Sequence, residues 1–150
     1  MAPLARDHSD PLEAFASGRP STSVKTAAPL GPGPLLAYCI GLEGLVKFGH
    51  RRPLVYVAWP NDDWLDGWAA AVGAVDIMTR QPLAGPQKPV SELLKDLDFA
   101  GNNGRFDAWG KRDVRRILQE LDQLVDRNYA VGAMLAAGHS KKSLDGLRKL

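Results

Sequence analysis

Four cations stand within six positions, Lys111, Arg112, Arg115 and Arg116, and a second basic group, Lys141, Lys142 and Arg148, follows near residue 150. Guanidinium and ammonium groups clustered in this way hold phosphate oxygens, the sequence-independent part of nucleic-acid binding. The first group falls at the start of a helix, where the macrodipole disfavours each exposed cation by up to about 1 kcal/mol. Asp113, Glu120 and Asp122 can relieve part of that by pairing along the helix, so a solvated charged face is the plain alternative.

The second group sits in "VGAMLAAGHSKKSLDGLRKL", residues 131–150. A helix-turn-helix needs a corner residue tolerant of positive φ, small side chains before it and apolar docking residues after it. Gly138 supplies the corner, Ala133, Ala136 and Ala137 the small residues, and Leu144 and Leu147 the docking pair. Ser140 can cap the second helix. Lys141, Lys142 and Ser143 then occupy the first turn, the part that enters a major groove. Over about twenty residues the stretch resembles the helix-turn-helix of many bacterial regulators and recombinases, a resemblance that carries no family identity. Gly146 weakens the second helix, and its first turn lacks the Arg, Asn or Gln that usually read bases.

A third group, "WPNDDWLDGW" at 59–68, sets Asp62, Asp63 and Asp66 among Trp59, Trp64 and Trp68. Carboxylates one helical turn apart can act as acid and base or hold a divalent cation. Acids also belong at helix starts, and tryptophans belong in cores or at interfaces. Trp64 and Trp68 are therefore the candidate anchors of a protein-partner interface.

Other chemistries find no support. His8, His50 and His139 fall in an arm, a loop and the corner, without an i,i+4 His/Glu pair, so no metal site is expected. Cys39 is alone, which excludes an intramolecular disulfide and suits a small core residue. "GPGPLL" lacks the lysine and hydroxyl of a phosphate loop, and no G-x-S-x-G occurs. No set of nucleophile, base and metal ligand converges, so the reading is a non-enzymatic protein without cofactor.

The elements that must position these groups follow from periodicity and punctuation. Residues 1–33, with prolines at 3, 11, 20, 29 and 32, read as a flexible arm, with one helical turn possible at "DPLEAF". A buried helix is expected over 34–48 and a short strand at Leu54–Val57, with no visible partner beyond the weak candidates "SVKTA" and "VDIMT". Helices are expected over 61–78 (capped by Asn61), over 91–100 (capped by Ser91) and over 111–128. In the last, Val114, Ile117, Leu118, Leu121, Leu124 and Val125 form an apolar stripe.

The 150 residues are 45% hydrophobic and 24% charged, enough apolar content for one folded domain. The net charge of +2 is unevenly spread: residues 1–110 carry 10 basic and 12 acidic side chains, residues 111–150 carry 9 and 5. That asymmetry places any anionic partner at the C-terminal end. No secretory pattern or membrane-length apolar run is present, which suits a soluble, cytoplasmic protein. Rich Gly, Ala and Pro usage suits a GC-rich bacterial genome. The sequence thus predicts a mainly α fold, with α+β possible: four or five helices and one short strand or small sheet over 34–150, behind the arm. It predicts a regulatory or accessory protein binding DNA through Lys111, Arg112, Arg115, Arg116, Lys141, Lys142, Ser143 and Arg148. The alternative is a protein-interaction adaptor using the Trp-bearing helix 61–78 or the amphipathic helix 111–128.

Overall fold

The computed structural model describes residues 35–38, 40–48, 54–57, 62–101 and 111–150. The arm over 1–33, Cys39, His50, Trp59, Asn61 and the loop 102–110 lie outside the described residues. The fold is mainly α with a small sheet: six helices and two strands among the described residues. The chain divides into two units between Val57 and Ala58, inside the stretch read from sequence as one domain. Among the described residues no helix is long and apolar enough to cross a membrane.

The first unit contains β1 (Leu35–Tyr38), α1 (Gly41–Phe48) and β2 (Leu54–Val57). β1 and β2 pair in parallel, with Leu35 opposite Leu54 and Tyr38 opposite Val57. The helix expected over 34–48 therefore starts only at Gly41, and its first part is the missing partner of the 54–57 strand. A short apolar run does not distinguish a buried strand from a buried helix. Gly41 makes the switch, with φ +63, a left-handed conformation that favours glycine. Ala37 and Leu45 are buried in this unit.

The second unit is helical: α2 (Leu65–Val72), α3 (Lys88–Ala100), α4 (Lys111–Leu121), α5 (Arg127–Ala136) and α6 (Lys141–Leu147). α2 ends at Val72, six residues short of the expected 78, with Gly73 capping it at φ +63, and residues 74–83 turn back as a hairpin. α3 starts three residues before Ser91, because Pro89 suits a first turn and needs no hydrogen-bond partner there. The expected helix 111–128 is two helices. α4 stops at Leu121, residues 122–125 turn, and Asp126 opens α5 by accepting a bond from Asn128 N at 2.7 Å. Asp126 is a far better cap than an interior helical residue, and that local preference overrides the continuing apolar stripe.

The core of this unit gathers Val90, Leu94, Leu97, Val114, Ile117, Leu118, Leu121, Val131, Leu135, Leu144 and Leu147. α2 and α5 make the closest crossing. A Cβ added to Gly67 would lie 1.9 Å from the carbonyl oxygen of Tyr129, and one added to Gly132 would lie 1.9 Å from that of Trp64. The two glycines let backbone meet backbone. Trp64 is 4% exposed and Trp68 half-buried, so the tryptophans anchor this crossing rather than standing on an open face.

Candidate nucleic-acid interface

The corner is built as its residues dictate. α5 stops at Ala136, Gly138 takes φ +96 and Ser140 Oγ accepts from Ser143 N at 3.3 Å. Leu144 and Leu147 are fully buried and dock α6. His139, only 7% exposed, ties the corner to the last turn of α3 through Nε2, 2.8 Å from Asp98 Oδ1. Arg127 forks onto both carboxylate oxygens of Asp122 and donates to Leu147 O at 3.3 Å, which joins the start of α5 to the end of α6. That fork holds the Asp122 carboxyl below, and the Arg127 guanidinium above, their ordinary pKa.

The eight residues expected to meet nucleic acid have different fates. Ser143 is 5% exposed and faces Ser140 Oγ at 3.0 Å, so it completes a cap and cannot reach a base edge. Arg148 Nη2 lies 3.5 Å from Asp63 Oδ1, and Asp63 also accepts from Asn128 Nδ2 at 2.8 Å. Arg148 thus holds the end of the unit against the entry to α2. Lys141 pairs with Asp145 at 2.6 Å and Arg116 with Glu120 at 2.7 Å, both exposed i,i+4 pairs. Such pairs contribute only about 0.5 kcal/mol, and a phosphate can displace them.

Lys111, Arg112, Arg115 and Lys142 are exposed and have no carboxylate within salt-bridge distance among the described residues. The first three stand on the N-terminal half of α4, whose buried face is Val114, Ile117, Leu118 and Leu121. A concavity of about 580 Å³ runs along them, lined among the described residues by Lys111, Arg112, Asp113, Arg115, Arg116 and Gln119. Lys142 belongs to α6, no Cα of which comes within 8 Å of one in α4. The exposed cations thus stand on two helices, Lys111, Arg112, Arg115 and Arg116 on α4 and Lys142 on α6.

Trp64 is buried at the α2–α5 crossing with Trp68 half-buried beside it, and Val114, Ile117, Leu118 and Leu121 of α4 face inward, while Leu124 beyond α4 is half-exposed. No group of three or more His, Cys, Asp or Glu side chains that could hold a metal ion occurs among the described residues. No protein-family model matches this chain, no curated protein matches it in sequence, and no solved structure matches it.

Proposed function

We propose that this chain is a non-enzymatic accessory or regulatory protein that binds DNA through the phosphate backbone, with the α4 patch as the principal contact. Lys111, Arg112 and Arg115 hold phosphates along the concavity, and Arg116 joins them by exchanging Glu120 for phosphate. Lys142 supplies a separate contact from α6. Ser143 has no part in base readout, so the binding is weakly sequence-selective.

One observation carries this reading. Three exposed cations lie at the positive end of the α4 dipole, without carboxylate partners among the described residues. The arrangement opposes the helix by up to about 1 kcal/mol per cation, and a polyanion reverses the sign of that effect.

Fluorescence anisotropy on a short duplex tests it. Five phosphate contacts, four from α4 and one from Lys142, give a slope of log K against log salt near −4.5, a loss of about five-hundred-fold between 50 and 200 mM salt. Replacing Lys111, Arg112 and Arg115 together by Ala weakens binding strongly and cuts the slope to about −1.8, while raising the melting temperature because the dipole conflict goes too. A variant that binds normally, or that loses both binding and stability, refutes the assignment.

A further inference from the structure

The outer face of α4 has a definite order. At about 100° per residue, Lys111, Arg115, Gln119, Arg112 and Arg116 follow one another around an arc of about 140°, and all of them are exposed. Glu120 and Asp113 come next on one flank, and beyond them Ile117, Leu121, Val114 and Leu118 turn into the core. Gln119 thus stands near the middle of the cationic arc and nearly opposite the buried stripe. It is the single uncharged side chain among the described residues that line the concavity of about 580 Å³. Its amide makes no hydrogen bond among the described residues.

An amide among cations differs from them in what it can recognise. It holds a donor and an acceptor side by side, the pattern that pairs with adenine N6 and N7 in the major groove. A phosphate diester offers acceptors only, so the carbonyl half of the amide is idle on the backbone. The major groove, about 12 Å wide, admits a helix about 10–12 Å across, and the minor groove, about 6 Å wide, does not. With α4 lengthwise in the major groove, Lys111 and Arg116 at the ends of the arc point to the two phosphate walls, and the middle points to the base edges. Arg112 and Arg115 stand nearer the helix start, where their long stems carry the charge out to the backbone.

The carboxylates stay clear of this position. Glu120 is held by Arg116 at 2.7 Å, and Asp113 stands about 120° around the helix from Gln119. Gln123, the next exposed amide, lies past the end of α4 and does not line the concavity. α6 has no equivalent in its first turn, because Ser143 is buried in its cap.

We propose that α4 is the reading helix and that Gln119 reads an adenine edge in the major groove, Oε1 accepting from N6 and Nε2 donating to N7. The inference rests on the DNA-binding reading above and adds the base on which its weak selectivity depends.

Selection by the full chain from a pool of short duplexes with a randomised centre, followed by anisotropy, tests this. The retained duplexes are expected to share an adenine at one position. Gln119→Ala weakens binding to the selected duplex by about five- to 150-fold, the worth of one bidentate base contact. The salt slope stays near −4.5, because no phosphate contact is lost. The variant folds as the parent does, since an exposed amide without a partner gives way to a stronger helix former. Replacing the shared adenine by 7-deazaadenine, which lacks the N7 acceptor, weakens the parent and leaves Gln119→Ala unaffected. A selection without a shared adenine, or a Gln119→Ala chain that keeps the preference, overturns this inference and not the phosphate contacts. A slope that falls by about one unit in Gln119→Ala with base preference unchanged also overturns it, marking a phosphate ligand instead. A chain that retains no duplex overturns both readings.

Discussion

Replacing Gly132 by Ala adds one methyl group at the α2–α5 crossing. That Cβ would lie 1.9 Å from Trp64 O, 2.6 Å from Trp68 N and 3.0 Å from Trp64 C. Ordinary contact begins near 3.4 Å, so the helices must separate by about 1.5 Å at this point. A gap of even 1 Å forfeits a quarter to a half of each dispersion contact along the seam. Because the obstacle is backbone, side-chain rotation cannot relieve it, and the cost belongs at or above the upper end of the usual overpacking range, about 3 kcal/mol. For a unit of this size each kcal/mol shifts the melting temperature by roughly 4–8 °C, so the fall is about 12–24 °C. Calorimetry and urea denaturation read it, the latter with an unchanged m value. Gly146→Ala is the control: it is helical with nothing within 4 Å of its added Cβ, and should gain about 0.5–1 kcal/mol. Gly67→Ala, 1.9 Å from Tyr129 O, forces the same separation. The double variant Gly67→Ala with Gly132→Ala should therefore cost clearly less than the sum of the two. A Gly132→Ala protein within about 0.5 kcal/mol of the parent, half the smallest usual overpacking cost, would refute the backbone-on-backbone crossing.

Ser140→Ala removes the α6 cap and should lower stability by about 1 kcal/mol in a thermal melt, with the loss of protection confined to α6 amides in hydrogen exchange. Asp122 has its folded pKa lowered by Arg127, so its contribution is present above the unfolded carboxylate pKa near 4 and is lost as pH falls through the folded value. Asp122→Asn should flatten that part of the acid limb of the stability profile in denaturant titrations, and an unchanged limb would show that the fork contributes nothing.

The functional elements were legible to different depths. The corner at 131–150 could be read residue by residue, because a positive φ at Gly138, a hydroxyl cap at Ser140 and apolar positions at Leu144 and Leu147 are each short-range requirements. The inward stripe of α4 was legible for the same reason. The hairpin at 74–83 was not. Its signal lay in the Asp76 turn and the φ of Arg80, inside a stretch whose apolar spacing imitates a helix. The break at 122–126 was missed because the apolar period continues through it, while the cap at Asp126 was the clue that could have located it.

By itself the sequence determined a mainly helical chain with a small β component, a glycine corner before residue 140 and the concentration of cations beyond residue 110. Each of these depends on residue type and on neighbours a few positions away, where sterics, capping and the helical period act directly. Tertiary structure alone decided that Leu35–Tyr38 pairs with Leu54–Val57, that Gly67 and Gly132 bring two backbones into contact, and that Trp64 lies inside. It also decided that Arg148 is held by Asp63 and Ser143 by Ser140, while Lys111, Arg112 and Arg115 face outward. Burial and ion pairing depend on which distant segments arrive at the same place, and local pattern carries no record of that.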